Sequence, residues 1–271
     1  MSLSILNNIP GLAAQNNLAT TQTGLNNTLE QLSSGKRINS GADDAAGLSI
    51  ADGLQSNITA LTQSAQNAND GVSKLQVADG ALSQVTSLLN RAVTLATESS
   101  TGTVTSAQQT SLDTEFTSIK NEINRIGTDT TFNGTSVFTS STTSVFLSDA
   151  SSQSTIATTI GGLSATSLNL NTNSLTSTAN SATALTAINT AVNSISSTRG
   201  TIGAAVNRLN SAVNVINTQV QNLTSAEDGI RSADIATVVG NLSKFQILNS
   251  TGISALAQAN SSQQSVLKLV Q

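Results

Sequence analysis

Cysteine, histidine, tryptophan and tyrosine are absent from this chain, which also holds a single proline and only 5 phenylalanines. Without cysteine there are no disulfides, no thiolate nucleophile and no thiolate-bound metal. Without histidine the usual metal ligand and the usual general base near neutral pH are missing. A carboxylate site stays open to the chain, so these absences disfavour catalysis without excluding it. The shortage of aromatic rings removes the side chains that supply the largest buried areas of ordinary cores, and the platforms on which nucleic-acid bases stack. Charge is scarce as well: 10% of the residues are charged, against about 25% in a typical domain. The 11 basic residues are scattered and the net charge is −4, which offers no field for nucleic acid. No stretch of about 18 apolar residues occurs, which leaves no membrane-spanning helix. The opening MSLSILNNIPGLAAQNNL has no basic start and no continuous apolar run, and does not read as a cleavable secretory signal. We expect no catalytic residue, no metal site and no cofactor.

What the chain does have is periodic Ala, Leu, Ile and Val. From Leu54 the apolar positions run Leu54, Ile58, Leu61, Ala65, Ala68, Val72 and Leu75, in alternating steps of four and three. That is a heptad seam. A repeated step of three to Ala78 is a phase slip that tightens the coil locally; the pattern then continues through Leu82, Val85, Leu89, Ala92 and Ala96. A second segment gives Leu112, Phe116, Ile119, Ile123 and Ile126. The longest seam is Leu185, Ile188, Val192, Ile195, Arg199, Ile202, Val206, Leu209, Val213, Ile216, Val220 and Leu223, with Arg199 its one charged member. Residues 185–223 predict a helix of roughly 57 Å at 1.5 Å per residue. One apolar stripe cannot bury itself, so the three seams are natural mates and predict an antiparallel bundle. Arg199 predicts an ion pair with a carboxylate across that bundle.

Between the arms the composition changes. Residues 126–198 contain no Lys or Arg, and nearly half of residues 128–184 are Ser or Thr. Short β-prone runs, Thr130–Val137 around Asn133-Gly134, then Ser144–Leu147 and Thr155–Ile160, predict two or three strands with polar loops, since Asn-Gly is a strong hairpin-turn signal. This stretch is expected to sit on the bundle as a hairpin and to face solvent. The two ends differ again. Residues 1–42 and 229–271 are rich in Asn, Ser and Gln, with intermittent Leu18, Leu25, Leu29, Leu32, Ile235, Val238, Leu242, Phe245, Ala255–Ala259 and Val266–Val270. They are too weakly apolar to fold alone and apolar enough to fold against copies of themselves. The expectation is disorder in the free chain and helix on assembly.

Long ordered blocks at both ends carry a family resemblance. Leu32–Asp52 reads LSSGKRINSGADDAAGLSIAD, followed by Gln66-Asn67-Ala68-Asn69-Asp70-Gly71, then Asn121-Glu122-Ile123-Asn124-Arg125-Ile126 and Phe132-Asn133-Gly134. Toward the other end stand Arg231-Ser232-Ala233-Asp234-Ile235-Ala236 and Ala255-Leu256-Ala257-Gln258-Ala259-Asn260. These blocks resemble the terminal signatures of bacterial flagellins, over about residues 1–138 and 180–271. The resemblance implies a mainly α fold, a long antiparallel coiled-coil bundle of N- and C-terminal segments with a small central β-hairpin region. It implies inner terminal helices at 1–42 and 229–271, a rod-like helical domain at 43–228, and no large outer domains. It further implies a secreted, non-enzymatic subunit of the extracellular flagellar filament, exported unfolded by the flagellar type III apparatus and serving motility. The partners it implies are further copies of the chain, the filament cap, hook-junction proteins and an export chaperone. A hook–filament junction protein is the related alternative. An unrelated coiled-coil protein fails to account for the terminal blocks, and no His-Glu-x-x-His motif supports a peptidase.

Among single residues, Asp43-Asp44 at the start of the long helical pattern predicts negative charge in its first turn. The resemblance also suggests contact with an innate-immune Toll-like receptor through Arg91, Leu95 and Glu115. The neighbouring Val93 and Thr94 stand where receptor-binding relatives carry Arg and Glu, which removes a charged contact.

Overall fold

A computed structural model describes residues 8–140, 142–147 and 155–270. In chain order it contains helices α1 (Ile9–Ser34), α2 (Ala45–Ser99) and α3 (Ser106–Asp129), strands β1 (Thr131–Phe132), β2 (Thr135–Ser136), β3 (Thr142–Phe146) and β4 (Thr155–Thr159), then helices α4 (Thr178–Arg231) and α5 (Ile235–Val270). The fold is mainly α with two small antiparallel hairpins, β1 with β2 and β3 with β4, as the sequence predicts. Two compact units result, Met1–Ser56 with Asn222–Gln271, and Asn57–Gln221.

Local chemistry sets the helix ends. The Asn8 side chain accepts a hydrogen bond from the Gly11 N–H at 2.9 Å, and Pro10 lies in the first turn of α1, where its missing N–H costs nothing. Gly35 closes α1 at φ 69°, donating its N–H to the Gln31 carbonyl, because a residue without Cβ enters the left-handed region freely. Asp43 and Asp44 act one step earlier than the sequence suggests. No acidic residue lies in the first turn of α2. Asp44 instead accepts from the Gly47 N–H at 2.8 Å as the cap, while Asp43 accepts from the backbone of Asn39 and Ser40 and from the Ser40 hydroxyl. These bonds hold the Asp43 carboxyl below its ordinary range. Thr105 and Gln108 form a reciprocal capping box on α3.

In the Asn57–Gln221 unit, α4 returns antiparallel to α2. Ser181 meets Ser99 at 2.9 Å, and Arg199 meets Asp79 through two hydrogen bonds of 2.8 and 3.2 Å. Asp79 is therefore the carboxylate the sequence left unnamed. Helix α3 doubles back along α2, its Gln109 amide donating to the Ser99 carbonyl at 3.0 Å. Leu75, Leu82, Val85, Leu89, Phe116, Ile123, Ile188, Ile195, Ile202 and Leu209 are buried in one cluster. The α4 seam keeps Ile188, Ile195, Ile202, Leu209 and Ile216 as predicted and differs only at alternate steps. Ala184, Ala191 and Ala205 are buried, whereas Leu185, Val192 and Val206 pack partly buried beside the cluster. Alanines at the line of closest approach let the helix backbones draw together, and the larger side chains cover the flanks. Of the other seam residues, Leu61 and Ile216 are buried, and Leu54, Ile58 and Leu223 are half-buried.

The Ser/Thr-rich centre is less solvated than expected. Asn133 (φ 49°) and Gly134 (φ 73°) turn β1 into β2, with both central residues in the left-handed region that a type I′ hairpin requires. Val145 of β3 sits over Gly71 of α2, where a Cβ would come within 2.7 Å of its methyl group. Between β4 and α4 the chain carries no regular structure, yet Ile160, Leu163, Ala165, Leu168, Leu170 and Leu175 are all buried. A buried irregular segment must still satisfy its backbone polar groups, and one face of α3 does so. Asp113 accepts from the Leu175 N–H at 2.6 Å, Lys120 donates to the Asn173 carbonyl at 2.9 Å, and Asn124 accepts from the Ala165 N–H at 2.8 Å. Gly127 ends that face. A Cβ there would lie 1.8 Å from the Leu163 carbonyl oxygen.

Gly127→Ala gains helix propensity but must push the Leu163 backbone away, so the clash decides the sign. We expect a net loss of about 1–3 kcal/mol in thermal unfolding followed by circular dichroism; an unchanged or raised midpoint would contradict this packing. The hydrogen bond from Arg199 lowers the Asp79 pKa from its ordinary 3.8. A depressed carboxylate contributes stability above its unfolded value and loses it as pH falls through its folded value. The pair is over a third exposed, so solvent screening keeps its contribution below about 1 kcal/mol. Asp79→Asn should show that deficit in urea unfolding at about pH 7 and lose it at about pH 2. A deficit of equal size at both would show that the charge pair contributes nothing.

Candidate assembly surface

In the unit formed by the two chain ends, α1 and α5 run antiparallel. Asn8 donates to Asn260 at 3.2 Å, Leu18 packs at Gly252 and Gly24 at Phe245, and Asn249 donates to Gln22 at 3.2 Å. Contacts that lie later along α1 fall earlier along α5. Glycines provide the sockets: a Cβ on Gly24 would stand 2.6 Å from the Phe245 ring. The pair is closed at one end by the segments that follow α1 and precede α5. Lys36 bridges to Ser232, the Arg37 N–H donates to the Arg231 carbonyl at 2.7 Å, and the Ala233 N–H donates to the Gly35 carbonyl at 3.0 Å. The Arg37 guanidinium donates to the Ile230 carbonyl at 2.6 Å. Arg231 reaches Asp52 at 3.4 Å and Glu227 at 3.6 Å. The Arg231 Nε is buried without a partner among the described residues. On α5, Asp234 caps the first turn through Ala236 and Thr237, and these bonds lower its pKa.

This pair covers little of its own apolar surface. Among the described residues of the unit, the buried apolar side chains are Ile38, Ala51 and Val238. By contrast Ile9 is 67%, Leu12 60%, Ile247 66% and Ile253 56% exposed, and Leu29, Ile50, Ile235, Val239 and Leu248 are exposed too. Ile247 and Leu248 are consecutive and so point about 100° apart around the helix. The uncovered residues therefore lie on more than one side of the pair. A helix apolar around much of its circumference is one that expects cover on several sides. The terminal residues Val266–Val270, expected to extend this face, have side chains outside the described residues.

The proposed receptor residues are placed differently from one another. Arg91 of α2 and Glu115 of α3 form a two-point ion pair at 2.7 and 3.0 Å. Both are exposed, at 53% and 44% of the side chain. The Arg91 hydrogen bonds lower the Glu115 pKa. Leu95 is separated from them: it is fully enclosed in the core cluster, because the heptad spacing that puts Leu89, Ala92 and Ala96 inside also turns Leu95 inward. In this conformation it offers no contact surface. No group of three or more carboxylates is placed to hold a metal among the described residues, and none of their helices is long and apolar enough to cross a membrane.

The architecture is thus that of a helical protein whose first and last helices pair with one another and leave apolar side chains uncovered. Residues 5–143 match the bacterial flagellin N-terminal helical region and residues 185–270 match the bacterial flagellin C-terminal helical region. The chain belongs to the bacterial flagellin family. It is 42% identical to polar flagellin F of Vibrio parahaemolyticus over 115 residues, which is 42% of this chain and 30% of that protein. It is 44% identical to flagellin of Escherichia coli K12 over 115 residues, 42% of this chain and 23% of that protein. Those alignments span under a third of the relatives' own length. The crystal structure of Bacillus cereus flagellin is similar with a TM-score of 0.50 and 31% identity, over 60% of this chain and 94% of that one.

Proposed function

We propose that the chain is a structural subunit that polymerises into a bacterial flagellar filament for motility and performs no catalysis. The apolar surface left open on α1 and α5 carries this reading. Ile9, Leu12, Ile247 and Ile253 are each more than half exposed, and burying an Ile or Leu side chain fully stabilises by about 1.5–3 kcal/mol. Several such residues on more than one side of a helix pair favour contact with more than one neighbour. Contacts of that kind repeat without closing when each uses a different patch, which is the geometry of a filament. On this reading the terminal segments order only when neighbours cover them, and a chain so incomplete suits export unfolded through the flagellar type III apparatus to an extracellular filament. The filament cap, hook-junction proteins and an export chaperone are the partners this implies. Contact with a Toll-like receptor would fall to Arg91 and Glu115, with Leu95 contributing only through packing.

Seeded growth of the full chain tests the assembly reading. The native protein should lengthen seeds into micrometre filaments seen by electron microscopy. The Ile247→Ser, Ile253→Ser double variant should need at least about tenfold more protein to do so, equivalent to 1.4 kcal/mol per subunit. Its central unit should keep its unfolding midpoint, since neither residue lies there. A native chain that never lengthens seeds would overturn the proposal; a variant that matches native growth would remove α5 from the interface.

A further inference from the structure

We propose that Asn133-Gly134 is a site of spontaneous deamidation in the folded chain. It is the one Asn-Gly pair in the sequence, and both residues are exposed. Gly134 has no side chain to shield its own nitrogen, and a Cβ built there meets nothing within 4 Å. The hairpin around it is minimal. Two residues pair on each side, Thr131 with Ser136 and Phe132 with Thr135, and an isolated two-stranded hairpin is marginal in water. The anchor lies further back, where the Val137 N–H donates to the Thr130 carbonyl at 3.0 Å and Val137 and Phe138 are buried. The tip can therefore open locally while its base stays seated.

The sequence supplies its own internal control. Asp-Gly pairs form the same cyclic imide, and the chain has four, at 52–53, 70–71, 79–80 and 228–229. All four lie inside α2 or α4, where the glycine N–H is committed to the helical hydrogen-bond ladder and the backbone is held away from ring closure. Asn133, at φ 49° in a turn, is under no such restraint.

In the reaction, hydroxide removes the Gly134 amide proton and the nitrogen attacks the Asn133 side-chain carbonyl carbon. The new carbon–nitrogen bond closes a five-membered imide, and as the bond to Nδ2 breaks that nitrogen takes a proton from water, releasing ammonia and restoring hydroxide. Water then opens the ring at either carbonyl, giving aspartate or isoaspartate; nothing is oxidised or reduced. Either product places a carboxylate in a stretch, 126–198, that has no Lys or Arg. The isoaspartate product also adds a methylene to the backbone and abolishes the two-residue turn, releasing Phe132 from its half-buried seat against the core.

The test is to age the full native chain in mildly alkaline buffer, label isoaspartate with its specific carboxyl methyltransferase, and map the label by peptide mass. We expect label at residue 133 that accumulates in proportion to hydroxide and is absent from Asn133→Gln. That variant's far-ultraviolet dichroism should match the native chain. The four helical Asp-Gly pairs should stay unlabelled until urea unfolds the chain. Label at residue 133 only in urea, or label on the helical pairs at a matching rate in the native chain, would overturn the proposal.

Discussion

Cover for apolar side chains is the constraint on which the rest of this protein depends. In the Asn57–Gln221 unit the chain provides that cover itself: α2, α3, α4 and the irregular segment after β4 close over Phe116, Ile123, Ile188 and Leu209. In the α1–α5 pair it does not. Two helices can bury one stripe each, and the stripe here is built largely from Gly24, Gly252, Thr28 and half-buried Leu and Phe. Ile9, Leu12, Ile247 and Ile253 are left outside. The same sequence thus encodes one unit that covers its own apolar core and one that leaves several large apolar side chains exposed.

Several polar side chains inside the Asn57–Gln221 unit are buried and hydrogen-bonded. Ser99 and Ser181 are fully buried where a larger apolar residue would be usual, and each is satisfied. Ser99 donates to the Leu175 carbonyl at 2.7 Å, and the Ser181 hydroxyl lies within hydrogen-bond reach of both Ser99 and the Ser177 carbonyl. Small hydroxyl side chains let α2 and α4 approach closely at that level, and they tie the start of α4 to the end of α2. Asp113, Lys120 and Asn124 perform the corresponding service along α3. This is how a chain with few aromatic residues still orders its Ser/Thr-rich centre. The polar side chains hold backbone groups that strands or helices would otherwise satisfy, and the scattered Leu residues fill the space beneath.

Periodic features were legible before the structure, and unpatterned ones were not. The heptad steps located α2, α3 and α4, and Asn133-Gly134 located the first hairpin. Arg199 announced an ion pair, but its partner Asp79 lies 120 residues away, and no local pattern links them. At alternate steps of the α4 seam the sequence points one residue too far, because Leu185, Val192 and Val206 carry a louder hydrophobic signal than Ala184, Ala191 and Ala205, which face inward. The segment holding Leu163, Leu168 and Leu170 carries no sequence signal for burial, since its apolar spacing fits neither a helix nor a strand and its order derives from side chains of α3. The family resemblance groups Leu95 with Arg91 and Glu115, and a resemblance of motif does not say which side chains of α2 face inward: Leu95 is enclosed in the core cluster while Arg91 is exposed.

Within one molecule, α1 and α5 leave Ile9, Leu12, Ile247 and Ile253 without cover. Amide hydrogen exchange of the full chain, free and after assembly, measures this most directly. The account predicts rapid exchange across α1 and α5 in the free chain, slow exchange in the Asn57–Gln221 unit in both states, and strong protection of α1 and α5 once assembled. Equal protection of the two terminal helices in both states would contradict it.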